Sequence, residues 1–258
     1  MKNLLIAAVV GWSCLCSHSC VNIQRTEASK SYITRIVKTD DFNAIRLMGS
    51  PNVIYTQTED KVYVEVYGPD NVVDLLEIYT EDDYLNVRFK KNTQVFNTGK
   101  LEVRVFAPSL DAMEVTGSGD IAIASGMKTD KDLHLSVTGS GDISGSDIRC
   151  AQLSLSVTGS GDIELNRVTA ENTQAHVTGS GNIDLSGTTQ GADYTISGSG
   201  DIDAVKLEAN VVSAEVTGSG SISCRAVSAL KARRTGSGRI SYRGNPQLDA
   251  PKKGVHRL

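Results

Sequence analysis

Acidic or amide side chains recur at one fixed place between residues 120 and 201 of this chain, directly after a Gly-Ser-Gly triplet. They are Asp120, Asp142, Asp162, Asn182 and Asp201. Stacked carboxylates repel one another unless they bond backbone amides, take up protons or hold a cation, and their oxygens suit Ca²⁺. We therefore treat this series as a candidate ligand face. The alternative is that Asp and Asn suit a turn because they bond nearby backbone.

The triplet itself repeats with a period near twenty residues. Its copies begin at Gly117, Gly139, Gly159, Gly179, Gly198, Gly218 and Gly236, so the spacings are 22, 20, 20, 19, 20 and 18 residues. Such a period is typical of a solenoid. Apolar and polar residues alternate around each triplet, which is the pattern of a half-buried strand. A second apolar column is predicted nine residues after each first glycine, at Ile148, Val168, Leu207 and Val227, with Thr188 as its polar member.

These patterns predict an all-β fold, a right-handed parallel β-helix with about 20 residues per coil. The glycines would allow a sharp bend or a close approach of the opposite wall. We expect a single domain over residues 40–258. Within it, residues 40–110 form a degenerate first coil, capped by a short helix and extra strands. Residues 111–243 form the regular repeats, and residues 244–258 form a terminal coil.

The N-terminus predicts export. Residues 1–19 resemble a secretory signal peptide, because Lys2 precedes an apolar run too short to span a bilayer. Cys20 is the best candidate for the lipidated cysteine of a bacterial lipoprotein, and Cys16 is a weaker one. A lipid on Cys20 would hold the protein on a membrane, and the polar residues 20–39 would form a tether. The alternative is ordinary cleavage that releases a soluble secreted protein.

Composition excludes several classes of function. The formal net charge is −4 and becomes about −5 without Lys2, so nucleic acid is not an expected partner. The Gly-Ser-Gly-Asp pattern lacks the lysine of a P-loop and the third glycine of a dinucleotide fingerprint, so no cofactor is expected. No His and Cys spacing suggests a transition metal. Cys150 and Cys224 are not expected to pair, and Cys224 is expected in the core.

Three segments together carry a resemblance to a known family: Gly49-Ser50-Pro51-Asn52-Val53, the stretch of residues 103–110, and residues 115–121 with their repeated copies. Over about residues 40–258 the chain resembles the bacterial head GIN domain family, labelled putative autotransporter adhesins. The resemblance implies a right-handed β-helix-like fold, an envelope location and an adhesion role. It brings no catalytic residues.

Three functions follow from these observations. The leading hypothesis is a non-enzymatic envelope lipoprotein at the outer membrane, on its surface or periplasmic side, that presents a Thr/Ser/Asp face to a glycan or an envelope protein. The second is a purely structural envelope protein. The third is a polysaccharide-processing β-helix enzyme. It is disfavoured because the carboxylates are repeated in equivalent places, whereas a catalytic acid and base need distinct environments.

Overall fold

The computed structural model describes residues 24–59, 61–251 and 253–258. Within these residues the chain forms a parallel β-solenoid of about seven coils with about 20 residues per coil, which confirms the predicted fold class. The predicted signal peptide and Cys20 lie outside the described residues. No described helix is long and apolar enough to cross a bilayer.

The N-terminal part combines parallel and antiparallel strands with one short helix. Its elements are β1 (Gln24–Glu27), β2 (Tyr32–Val37), β3 (Ala44–Gly49), β4 (Val53–Gln57), β5 (Tyr63–Pro69), α1 (Asp70–Val73), β6 (Leu76–Glu81), β7 (Tyr84–Phe89), β8 (Thr93–Phe96) and β9 (Glu102–Ala107). β5 pairs antiparallel with β2 and β9, and β6 pairs antiparallel with β7. β3 and β4 instead pair parallel with the strands on either side of Gly117, so the copy around Gly49 stacks directly on the first regular coil.

The remaining strands build the regular coils. They are β10 (Ala112–Gly117), β11 (Ile121–Ile123), β12 (Met127–Lys128), β13 (Leu133–Gly139), β14 (Ile143–Ser146), β15 (Ile148–Arg149), β16 (Gln152–Gly159), β17 (Asp162–Gly179), β18 (Asn182–Gly198), β19 (Asp201–Gly218), β20 (Ser221–Gly236), β21 (Arg239–Arg243), β22 (Gln247–Asp249) and β23 (Val255–Arg257). β17 to β20 are long because each continues around the coil without a break.

Each regular coil has three faces. The first face leads into the Gly-Ser-Gly triplet, as β13 does; the second face follows the triplet, as β14 does; and a short third face, such as β15, closes the coil. Neighbouring coils pair parallel and in register, so that Leu133 lies beside Leu153 and Ile143 beside Ile163. Equivalent residues therefore stack on one another along the axis.

The core is a set of such stacked columns. One of them consists of Ile121, Ile143, Ile163, Ile183, Ile202, Ile222 and Ile240, each no more than 1% exposed. Full burial of one such side chain stabilises the fold by roughly 1.5–3 kcal/mol. Cys224 lies in the core as predicted, and both described cysteines are free thiols. Burial raises the pKa of Cys150 to about 11 and that of Cys224 to about 12, so both stay protonated at neutral pH.

The second apolar column differs from the prediction at two positions. Thr188 and Val227 point outward, and Gly187 takes the place between Val168 and Leu207. A Cβ on Gly187 would lie 2.0 Å from the Val168 carbonyl oxygen. A fixed distance of nine residues from the triplet does not locate the inward residue here, because the register between neighbouring strands shifts on this side of the coil. The shift occurs between β17 and β18 and again in the next two strand pairs.

The predicted tether over residues 20–39 is wrong in its described part. β2 lies antiparallel beside β5 in the main sheet, and β1 pairs with β8 in a separate two-stranded sheet. Ile33 and Val37 pack against the core. β2 was not predicted because its other apolar side chains, Tyr32 and Ile36, are exposed. Apolar and polar residues therefore do not alternate regularly along this strand. β8 likewise lies within a stretch that the sequence indicates only as polar.

Candidate functional site

The Gly-Ser-Gly triplet forms a sharp corner between the first and second faces. In the coil around Gly159, this first glycine has a φ of +124°. Its carbonyl oxygen accepts two hydrogen bonds from the next coil, from the backbone N–H groups of Ser180 at 2.8 Å and Gly181 at 3.0 Å. The same paired contact recurs along the stack, with the carbonyls of Gly49, Gly117, Gly139, Gly159, Gly179, Gly198 and Gly218 as acceptors. The corner therefore holds each coil to the next.

Both glycines are required because the preceding coil occupies the space of a side chain. A Cβ on Gly159 would lie 2.4 Å from the carbonyl oxygen of Gly139, and one on Gly161 would lie 2.0 Å from that of Gly141. The close approach predicted for these residues is thus between stacked coils rather than across the core. The first glycine also needs a positive φ, which side chains disfavour.

The Asp and Asn residues after each corner form a ladder that bonds to backbone. The N–H of Asp162 donates to Asp142 Oδ1 at 2.8 Å, and the N–H of Asn182 donates to Asp162 Oδ1 at 2.8 Å. The series runs from Asn52 Oδ1, which accepts from the N–H of Asp120, to Asp201 Oδ1, which accepts from that of Ser221. One oxygen of each side chain is therefore engaged by the next coil, which supports the structural interpretation of these residues.

Replacing Asp162 by Ala is expected to lower the free energy of unfolding by about 1 kcal/mol, because Asn182 loses the acceptor of its N–H. Asp162→Asn should cost less than about 0.5 kcal/mol, since Asn keeps an Oδ1 acceptor and serves in this way at position 182. Urea denaturation of both variants measures the difference. Equal costs would show that the negative charge, not the acceptor, matters here.

A second acidic column lies beside this ladder on the second face. Glu164, Asp184 and Asp203 stack in register and, with Lys206, line a shallow depression of about 230 Å³. Partial desolvation, followed by the charges of Asp203 and Glu164, raises the pKa of Asp184. The described residues contain no group of three or more acidic, His or Cys side chains arranged to hold a metal ion.

Exposed hydroxyl groups run along the corner in two columns, which we call the hydroxyl ridge. It consists of Thr116, Thr138, Thr158, Thr178, Ser197, Thr217 and Thr235, with Ser118, Ser140, Ser160, Ser180, Ser199, Ser219 and Ser237. Of the ridge hydroxyls, all of which lie in described residues, only that of Thr178 bonds to another protein group, His176 Nε2 at 2.9 Å. The ridge thus presents hydrogen-bonding groups once per coil, about every 4.8 Å.

Arg234 closes the C-terminal end of the corner stack. Its Nη1 donates to the carbonyl oxygens of Gly236 at 2.6 Å and Gly238 at 3.2 Å. Arg234 pairs in register with Val216, so it takes an apolar position of the repeat. The sequence indicates this change only as decay of the pattern, whereas the structure shows an end cap. At the N-terminal end, Pro51 takes the position of the triplet's second glycine. Proline has no N–H to donate, and none is needed there because no Gly-Ser-Gly corner precedes this one.

A wide, open groove of about 1010 Å³ lies beside the early coils, where its lining includes Gln57, Lys128 and Asp147. The Gln57 side chain bonds both backbone groups of Lys128, so it extends the sheet rather than facing a ligand. Arg167 forms a bidentate pair with Asp147 and lowers the pKa of that carboxyl to about 2. Asp147 is therefore ionised and paired at neutral pH, which does not suit a general acid.

The fold and the corner define the class of this protein as a parallel β-solenoid with stacked Gly-Ser-Gly corners. Residues 41–246 match the family described as "Putative auto-transporter adhesin, head GIN domain", and the chain belongs to this family. The resemblance drawn from the segments around Gly49 and Gly117 is thereby confirmed. No functionally curated protein matches the chain.

Solved structures of similar proteins share the fold over most of its length. A protein of Parabacteroides merdae described as a putative adhesin is 25% identical, with a TM-score of 0.84 over 91% of this chain and 99% of that one. One of Bacteroides fragilis with the same description is 30% identical, with a TM-score of 0.69 over 90% and 95%. One of Parabacteroides distasonis, described as a putative lipid binding protein, is 24% identical, with a TM-score of 0.84 over 91% and 100%.

Proposed function

We propose that this protein is a non-enzymatic adhesin of the bacterial envelope, anchored through a lipid on Cys20, that binds a glycan or an envelope protein through the hydroxyl ridge. The observation that carries this proposal is the ridge itself, a straight exposed row of hydroxyls that the fold leaves almost wholly unbonded. Membership of a family described as adhesins supports the same function.

A repeating surface favours a repeating ligand. Each coil offers one Thr or Ser hydroxyl before the corner and one Ser hydroxyl within it, so a polymer such as a polysaccharide would meet equivalent groups in successive coils. Single contacts of this kind are weak, but several linked contacts raise the overall affinity by avidity. The neighbouring ladder at Asp142 and Asp162 adds acceptors for sugar hydroxyls.

Removal of ridge hydroxyls is expected to weaken binding at least about tenfold, which corresponds to roughly 1.4 kcal/mol. The variant changes Thr138, Thr158 and Thr178 together to Val, which keeps their shape. The matched control changes Thr169 and Thr188 to Val, because both are exposed threonines outside the ridge. Binding of the purified proteins to a glycan array and to envelope extracts measures the effect.

Equal binding by the ridge variant and the control would contradict the ridge as the binding surface. Absence of any ligand for the unchanged protein would favour the structural alternative instead. That alternative has its own support in the ladder at Asp120, Asp142 and Asp162, where one oxygen of each side chain serves the fold.

A further inference from the structure

We infer that the N-terminal cap of the solenoid, at residues 24–32 and 90–100 around β1 and β8, is a membrane-contact surface that rests on anionic lipid headgroups. This inference builds on the proposed anchor at Cys20 and adds a defined orientation of the domain. It assigns a role to the small two-stranded sheet of β1 and β8, which lies apart from the solenoid's own sheet.

The chain between anchor and domain is short. β1 begins at Gln24, four residues after Cys20. An extended chain covers at most about 3.6 Å per residue, so β1 begins within about 14 Å of a lipidated Cys20. The headgroup layer on each side of a bilayer is itself roughly 5–8 Å thick. β1 therefore lies at the headgroups or immediately outside them.

Side-chain bonds fix this region to the N-terminal end of the solenoid. Asn71, in α1, donates from Nδ2 to the carbonyl of Glu27 at 2.8 Å and accepts the N–H of Ser29 through Oδ1 at 3.0 Å. α1 closes this end of the core with the buried Val72 and Val73. The end of β1 and the residues that follow it are thus bonded to this end cap, and a membrane beside β1 faces the cap.

The charge of the surface suits anionic lipid. Residues 24–31 and 90–100 contain five cations and one carboxylate, Glu27, and the carboxylates of Asp70 and Glu102 contact these segments, so the local net charge is +2 in a chain whose net charge is −4. The cations are Arg25, Lys30, Lys90, Lys91 and Lys100, all exposed. Of these, only Lys100 forms an ion pair within the described residues, with Glu102. Clusters of cations next to a membrane anchor are attracted to anionic headgroups.

Exposed aromatic side chains accompany these cations. Phe96 in β8 is 48% exposed, and the Arg25 guanidinium lies 5.9 Å from its ring centroid. Tyr32, at the start of β2, is 42% exposed, and its hydroxyl accepts the backbone N–H of Lys100. Aromatic rings beside basic groups favour the membrane interface, where one end of the side chain is apolar and the other is hydrated.

A tryptophan reporter tests the inference directly. The only tryptophan is Trp12, within the predicted signal peptide, so the processed protein would have none. Phe96→Trp is placed in the surface, and Leu248→Trp is the control, because Leu248 is 46% exposed in β22 near the C-terminal end of the solenoid. Both lipidated proteins are reconstituted in phosphatidylethanolamine–phosphatidylglycerol vesicles that contain brominated phospholipid.

We expect brominated lipid to quench the Phe96→Trp fluorescence at least twofold and the Leu248→Trp fluorescence by less than a tenth. Adding Lys90→Glu and Lys91→Glu to the reporter should reduce its quenching by about half or more. Equal quenching at the two positions, or none at position 96, would overturn the inference.

Palmitate labelling of the same proteins separates this inference from the proposed anchor. Label at Cys20 with no quenching at position 96 overturns the contact surface and leaves the lipoprotein intact. Absence of label, with Phe96→Trp still quenched by anionic vesicles, supports the surface and contradicts the anchor. Absence of both overturns both.

Discussion

Replacing Gly161 by Ala is expected to lower the free energy of unfolding by about 3 kcal/mol or more, because the preceding coil leaves no room for the added methyl group. The new Cβ would lie 2.0 Å from the carbonyl oxygen of Gly141 and 2.8 Å from Val137 Cγ1. Backbone of a neighbouring coil cannot move aside without loss of its hydrogen bonds, so the overpacking cost is at the upper end of the usual range. Guanidinium denaturation followed by circular dichroism measures it.

Gly191→Ala is the matched control for this substitution. Gly191 also lies in a regular coil, paired with Asn172 and Val211. Its added Cβ would meet Asn172 Oδ1 at 2.4 Å, the end of an exposed side chain that can rotate away. We expect a change below about 1 kcal/mol. Similar losses for Gly161→Ala and Gly191→Ala would contradict the close stacking of the corners.

Replacing Cys20 by Ala is expected to remove all palmitate label and to move the protein from the membrane fraction to the soluble fraction. The physical reason is that the acyl chains supply the stable membrane affinity of a lipoprotein. Metabolic labelling of cells that express the full-length chain, followed by fractionation, measures both effects.

Cys16→Ala is the control, because Cys16 is the weaker candidate for lipidation. We expect it to keep the label and the membrane location. Loss of label in Cys16→Ala, with retention in Cys20→Ala, would move the anchor to Cys16. An unlabelled wild-type protein would indicate ordinary signal cleavage and would remove the anchor from the account.

The repeat made most of the fold predictable. Strand pairing between coils is local in sequence, about twenty residues apart, and each column repeats its own chemistry. Ile143 and Ile163 are an example: both lie at the same distance in sequence from their triplets, and both therefore fall in the same buried column. The N-terminal cap was predictable only in outline, since its strands do not repeat and several pair antiparallel.

The candidate site was predictable in composition but not in roles. Sequence alone left open whether the ladder at Asp142 and Asp162 binds a ligand or the backbone, because the answer depends on which N–H of the next coil lies within reach. In the sequence, Arg234 is visible only as a polar residue at an apolar position of the repeat. Its hydrogen bonds to the carbonyl groups of the last corner could not be predicted, because they depend on how the C-terminal coil folds. The exposed hydroxyls of the ridge were visible as a column, but their lack of partners was not.

Adhesion is the central claim, and it requires that the domain faces the outside of the cell, which labelling of an introduced thiol on intact cells tests most directly. Ser160→Cys places a thiol on the exposed ridge, while Cys150 and Cys224, the two cysteines within the described residues, are only 6% and 0% exposed, so the wild-type chain is the control for labelling at other thiols. The account predicts that a membrane-impermeant maleimide labels the Ser160→Cys protein on intact cells and leaves the wild type unlabelled. Labelling of Ser160→Cys only after the outer membrane is permeabilised would contradict an adhesin that faces the outside.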